Sequence, residues 1–256
     1  MQRIIYAGDS TVTFNHIATY PQTGLSQGLS LYVKDDVFIR SFAINGRSTK
    51  SFIDQGRLEE IDNYLMPGDF LFIQFGHNDE KMSDPLRYAD PHTEYRENLK
   101  KFVETARRHE AIPVIISPIA RRLFDAEGKF LPGSHGEYPE ACRIVAEETG
   151  TAFVEMTKVS EDYIAMLGDF ASRPLYVYPK DNSHLQMQGA VVMGGFLADG
   201  LLKLGSPYSD LLVSRDAKVV DEDKAPAVLP YMVQEKGEAF CDPTLNLDAF
   251  KNEKQD

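Results

Sequence analysis

Five short apolar runs, at residues 3–7, 37–42, 70–75, 113–117 and 152–155, alternate with longer stretches in which apolar positions return every three or four residues. Short runs rich in Ile, Val and Phe are what strands covered on both faces require. The intervening stretches, at 25–33, 49–64, 95–110, 138–149, 158–167 and 185–203, carry a helical period, with Met66-Pro67-Gly68 and Gly150 as stops. This alternation predicts an α/β fold, a three-layer α/β/α sandwich around a five-stranded parallel sheet, because parallel neighbours are joined by right-handed helical crossovers. The expected strand order is 2-1-3-4-5. It puts the topological switch beside the first strand and a site at the carboxyl ends of the strands.

From about residue 206 the texture changes. The last 51 residues hold four prolines, eleven acids and six bases, and no sustained period. The chain is therefore read as a domain over 1–205 and a C-terminal extension over 206–256. The extension packs on the domain or on a neighbouring subunit, which leaves a homo-oligomer open, and 211–213 and 227–233 are its candidate short strands or packing arms. Over the whole chain 39 acids outnumber 27 bases, a net charge of −12. That balance argues against nucleic acid and against an anionic membrane surface, both of which attract clustered Lys and Arg. No apolar run reaches membrane-spanning length. The first residues read directly as a strand and not as a leader, so a cytoplasmic protein is expected. Cys142 and Cys241 read as inert thiols with no disulfide between them. The histidines show no metal-ligand spacing, so no metal is expected.

The polar residues with chemical potential stand just past the expected strands. Gly8-Asp9-Ser10-Thr11 follows the first, Asn45-Gly46-Arg47-Ser48 the second and Gly76-His77-Asn78-Asp79 the third, while Asp181-Asn182-Ser183-His184 precedes the last long helix. In the expected fold the first three share one rim and the fourth can reach it. A serine hydroxyl is a weak nucleophile until a base within hydrogen-bond reach takes its proton. An imidazole base needs a third group to fix its tautomer. Asp181 and His184, three residues apart, can offer a carboxylate to one ring nitrogen while the other faces Ser10. A tetrahedral intermediate also needs preorganised donors, and the candidates are the backbone N–H groups of Ser10 and Gly46 and the side-chain amide of Asn78. Gly46 suits close approach of backbone to substrate because it lacks a Cβ.

These blocks, in this order, resemble the SGNH (GDSL) hydrolase superfamily. The resemblance narrows over Asn45-Gly46-Arg47-Ser48-Thr49-Lys50-Ser51-Phe52-Ile53, Gly56-Arg57, Pro67-Gly68-Asp69-Phe70, Gln74-Phe75-Gly76-His77-Asn78-Asp79, Pro118-Ile119-Ala120-Arg121-Arg122 and His135-Gly136-Glu137-Tyr138-Pro139. Over roughly 3–204 the chain is similar to rhamnogalacturonan acetylesterases (carbohydrate esterase family 12). The resemblance implies a flavodoxin-like fold, Ser10 as nucleophile, His184 as base, Asp181 as orienting acid, and Ser10, Gly46 and Asn78 as oxyanion-hole donors. It also implies removal of acetyl groups from pectic oligosaccharides without a cofactor. Leu25 stands where the family is expected to favour tryptophan, and the segment after 205 has no counterpart in it.

A uronate-bearing substrate would need local positive charge against the net −12. Arg47 and Arg121 either supply it or, like Arg122, pair with acids such as Asp125 and Glu137 to hold loops. His77, His135 and Tyr138 either line the pocket or pack loops. Asp9 is a further pocket candidate, with bracing of its loop, as for Asp79, the competing role. His16, His92 and His109 read as surface or packing residues. Gly24-Leu25-Ser26-Gln27-Gly28 fits the nucleophile elbow G-x-S-x-G, but that elbow follows a strand. Residues 19–23 make a poor one, so Ser26 is expected on a helix surface. The alternatives to a pectin acetylesterase are an acetylesterase of other sugars such as xylo-oligosaccharides, a broad arylesterase, and a carbohydrate-binding protein without turnover.

Overall fold

The computed structural model describes residues 2–213. Strands β1 (Gln2–Gly8), β2 (Val37–Ser41), β3 (Phe70–Gln74), β4 (Ile112–Ile116) and β5 (Ala152–Val154) form one parallel sheet in the order 2-1-3-4-5, as expected. β1 lies inside the sheet, with Tyr6 opposite Ser41 on one side and Phe72 on the other. Side chains of β1 and β3 alternate between two cores, as strand geometry dictates. Ile4, Tyr6, Phe70 and Phe72 face one core, and Ile5, Ala7, Leu71 and Ile73 face the other. Pro113 is tolerated in β4 because the β5 pairing begins only at Val114 opposite Ala152.

Helices α1 (Leu25–Leu29), α6 (Thr157–Ser172) and α7 (Met187–Leu204) supply the first core with Leu25, Leu29, Ile164, Met193 and Leu197. Helices α2 (Thr49–Asp54), α3 (Arg57–Asp62), α4 (Glu94–Arg108) and α5 (Tyr138–Thr149) supply the second with Phe52, Ile61, Leu99, Phe102 and Val145. The three layers are thus those the pattern predicts. The single helix expected over 49–64 is two, because Gly56 takes a left-handed φ of 71° between them. An apolar period passes through such a break without registering it.

Packing of α1 on α7 fixes the loop ahead of α7, which carries two of the site residues. A Cβ on Gly28 would lie 1.8 Å from the Ala190 carbonyl oxygen, so only glycine admits the two backbones at this separation. Four of the five α1 residues are buried, Ser26 among them. Ser26 is therefore not on a helix surface as expected, but neither does a strand precede it, and the glycines around it serve packing.

Residues 206–213 continue the same unit. The Tyr208 ring packs on Phe70 at 6.0 Å, Leu211 is buried, and Leu212 bridges Val33. The apolar pair Leu211-Leu212 forms a packing arm at the end of a short turn of 3-10 helix, Ser209–Leu211, and adds no strand to the sheet. The segment 227–233, Cys241 and the rest of the extension lie outside the described residues. Cys142 is buried and free. Among the described residues no helix is long and apolar enough to cross a membrane, and no group of His, Cys, Asp and Glu is placed to hold a metal ion.

Candidate active site

The turn that follows β1 is held by Asp9, whose Oδ1 accepts from the Thr11 backbone N–H at 2.9 Å and the Thr11 hydroxyl at 2.8 Å. This Asx turn sets Ser10 at the rim of the sheet, beside the strand-order switch. On the loop between α6 and α7, Asp181 Oδ1 accepts the backbone N–H groups of Ser183 (2.7 Å) and His184 (2.9 Å). The same loop closes on itself through Val177 and His184, whose backbones are bonded at 3.0 Å. Local hydrogen bonds thus orient both residues before either meets Ser10.

The three side chains then fall in one line. Ser10 Oγ lies 2.7 Å from His184 Nε2, and His184 Nδ1 lies 2.5 Å from Asp181 Oδ2. Burial raises the Asp181 carboxyl, but its bonds to His184 and to the two backbone N–H groups outweigh that and hold it below the usual carboxylate range. Asp181 is thus an anion at neutral pH, able to fix the Nδ1–H tautomer that leaves Nε2 free to accept. Each of the two side chains keeps 30% of its surface exposed, so the line opens on a shallow rim.

The three candidate donors stand on the loops that follow β1, β2 and β3, at the same end of the sheet. Gly46 takes a left-handed φ of 76°, which few side chains tolerate. Among the described residues neither the Ser10 nor the Gly46 backbone N–H donates to a protein acceptor. The Asn78 amide donates one hydrogen to the Arg47 carbonyl at 3.0 Å. Its oxygen accepts from Lys81 Nζ at 2.9 Å and Arg87 Nη1 at 3.5 Å. Lys81 and Arg87 escaped the sequence reading. Their only signal there is spacing, Lys81 standing three residues past Asn78 in a turn closed by its own N–H on the Asn78 carbonyl.

The residues expected to touch substrate divide differently from the sequence reading. Asp9, His77, His135 and Tyr138 are all buried. His135 sits between Glu80 Oε2 (2.9 Å) and the Ile119 carbonyl (2.8 Å), and its ring meets that of His77 edge-on at 4.4 Å. Tyr138 donates to the carbonyls of Asp79 and Ala89, and its ring borders a cleft of about 290 Å³ with Met82, Tyr88 and Pro91. Arg121 donates to Ser183 Oγ and to the His77 carbonyl and pairs with Glu80, which ties the triad loop to the Asn78 loop. Arg122 pairs with Asp169. Hydrogen bonds to neighbouring loops thus occupy His135, Tyr138, Arg121 and Arg122, whereas His77 Nδ1 and Asp9 Oδ2 only face each other at 3.6 Å, without a hydrogen-bond partner among the described residues. Arg47 remains, with its guanidinium near the surface on Gln55. His16 caps a turn, and His92 and His109 pair with Glu137 and Asp62 at the surface, as expected.

Beneath the rim, Asp79 Oδ1 accepts the Thr49 N–H at 2.8 Å and the Thr49 hydroxyl at 2.5 Å, while Oδ2 has no hydrogen-bond partner among the described residues. Burial pushes this carboxyl up to about 8, against the Thr49 bonds. Burial, with His135 and Arg121 close by, pushes His77 down to about 4. A raised carboxyl makes the native state hold a proton the unfolded chain has lost, so its share of stability falls as pH rises from about 4 to 8. A depressed histidine does the reverse between about 4 and 6.5, so the two slopes oppose there and only that of Asp79 acts above 6.5. Asp79→Asn keeps the Oδ1 acceptor and removes the titration. Thermal melts from pH 6.5 to 8 should show wild type losing stability relative to the variant by about 1 kcal/mol per pH unit, a few degrees in Tm. Parallel curves for the two proteins would place the Asp79 titration outside this window.

Sequence comparison agrees with the geometry. The chain matches the GDSL-like Lipase/Acylhydrolase family over residues 6–190. The chain belongs to that family. It is 33% identical to rhamnogalacturonan acetylesterase RhgT of Bacillus subtilis over 84% of this chain and 96% of that one. It is 25% identical to a rhamnogalacturonan acetylesterase of Emericella nidulans, over 84% of this chain and 91% of that one. Among solved structures, the YxiM protein of Bacillus subtilis aligns with a TM-score of 0.72 at 24% identity, over 80% of this chain and 57% of that one. The acetylxylan esterase Axe2 of Geobacillus stearothermophilus aligns at 0.56 and 16%, over 80% and 95%. These two likenesses establish the fold.

Proposed function

We propose that this protein is a serine-type carbohydrate esterase that removes acetyl groups from rhamnogalacturonan-derived oligosaccharides. The observation that carries the reading is the continuous line Ser10–His184–Asp181 at 2.7 and 2.5 Å on the rim that also holds the Gly46 and Asn78 donors. Ser10 Oγ attacks the acetyl carbonyl as His184 Nε2 takes its proton. The carbonyl oxygen, now an anion, is held by the N–H groups of Ser10 and Gly46 and the Asn78 amide. Collapse of the intermediate breaks the bond to the sugar oxygen, which leaves with the proton from His184. Water, deprotonated by the same nitrogen, then releases acetate and restores Ser10. No step calls for a metal or an organic cofactor.

The choice of substrate is supported by the relatives named rhamnogalacturonan acetylesterase, which align over nearly their whole length. The half-exposed His184 and Asp181 suit it too, since an acetyl group on a bulky glycan must reach the serine from an open side. Acetate release from acetylated rhamnogalacturonan oligosaccharides and from acetylated xylo-oligosaccharides tests the reading. The expected kcat/KM ratio favours the pectic substrate by about tenfold or more, the scale of about 1.4 kcal/mol of differential binding. A ratio favouring xylan fragments would move the substrate and leave the triad standing.

A further inference from the structure

Asn78 has one orientation open to it. Its Nδ2 faces the Arg47 carbonyl at 3.0 Å, while its Oδ1 faces the Lys81 ammonium at 2.9 Å and Arg87 Nη1 at 3.5 Å. A flipped amide would set N–H groups against two cations and oxygen against oxygen. The two cations are not equivalent. Arg87 is paired through Nε with Asp84 at 2.7 Å, whereas no carboxylate lies within ion-pair distance of Lys81 among the described residues. The Lys81 charge is directed at a neutral amide oxygen, where a charge-assisted hydrogen bond draws electron density from the nitrogen and makes its remaining N–H a stronger donor.

We propose that Lys81 is a positioning residue that locks and polarises the Asn78 carboxamide for the oxyanion, an inference that rests on the Asn78 role given above. The effect belongs to the transition state, because a polarised donor gains most where negative charge develops. It therefore appears in kcat and not in KM. It also requires the charged ammonium. The groups that act on that ammonium are Arg87 and Arg121, which disfavour its charge, and Asp9 and Glu80, which favour it; burial and the two arginines prevail, so Lys81 loses its proton below the usual lysine range. Asp79, next to Asn78 and shifted to about 8, titrates nearby and needs a control.

The experiment is a kcat and KM series on wild type, Lys81→Met, Lys81→Arg, Asn78→Ala and the Lys81→Met/Asn78→Ala double variant, from pH 6 to 10.5. Lys81→Met should lower kcat roughly tenfold, a fraction of the about 10²–10³-fold typical for losing a whole oxyanion donor, with KM unchanged. Lys81→Arg should recover most of the loss and abolish the wild-type fall of kcat at alkaline pH, which an Asp79 titration would leave in place. In the Asn78→Ala background the Lys81 substitution should cost nothing further. Full kcat in Lys81→Met, or an undiminished penalty in the absence of the Asn78 amide, would overturn the proposal. An Asn78→Ala variant as active as wild type would instead remove Asn78 from the oxyanion hole.

Discussion

Replacing Ser10 with alanine should lower kcat for acetate release by about 10⁴-fold or more while leaving thermal stability nearly unchanged. The reason for the first half is that, among the described residues, no other hydroxyl is bonded to His184 Nε2, 2.7 Å from Ser10 Oγ. The reason for the second is that Oγ makes no other hydrogen bond among the described residues, and His184 is open enough to water to replace that partner. The loop keeps its shape because Asp9 and Thr11, not the serine hydroxyl, hold the turn. Residual turnover would measure what substrate positioning and the oxyanion donors supply alone, about 10³–10⁴ over the uncatalysed rate in comparable enzymes. Acetate assays on the purified variant, with a melt to verify the fold, check both halves. A variant within tenfold of wild type would require a different nucleophile.

Asp181→Asn should cost about 10³–10⁴ in kcat, although the substitution changes almost no volume. Asp181 Oδ1 holds the backbone of Ser183 and His184, and an asparagine oxygen can keep those bonds. Its NH₂ would then face His184 Nδ1 in place of Oδ2. The ring must turn an acceptor toward that NH₂, which puts its proton on Nε2 and removes the acceptor Ser10 needs. The loss is one of tautomer, not of fold. Because Asp181 is held below the usual carboxylate range, acid should not abolish this orienting role until pH falls beneath that range. Steady-state kinetics on Asp181→Asn, alongside a circular dichroism melt, distinguishes a tautomer effect from unfolding. Near-wild-type kcat would show that His184 is oriented by something else.

Sheet and site were legible for the same physical reason. Strands covered on both faces leave few polar residues inside, the edge strand β2 with its exposed Phe38 and inset Arg40 being the exception, so the polar block after each marks the rim, and Asp9-Ser10, Gly46 and Asn78 all stand there. Asp181 and His184 were legible through spacing, which a turn converts into a carboxylate–imidazole contact. What stayed hidden is direction. Loop residues have no period, so nothing in the sequence distinguishes a side chain that points to the rim, such as Ser10, from neighbours that turn under it, such as Asp9 and His77. Arg121 illustrates the cost: an arginine past β4 reads equally as a cation for substrate and as a loop brace, and only the fold shows its donors on Ser183, His77 and Glu80. Backbone breaks were hidden too, since the left-handed Gly56 sits inside an unbroken apolar period.

Stoichiometric labelling by an organophosphonate ester, with the modified peptide located by mass spectrometry, tests the central claim most directly. The reagent reacts only with a serine activated by its base, and the product mimics the tetrahedral intermediate held by the oxyanion donors. One equivalent on Ser10 in wild type, a rate reduced by orders of magnitude in His184→Ala and no label in Ser10→Ala are the predicted results. Label on another residue, or a wild type that stays unmodified, would contradict the account.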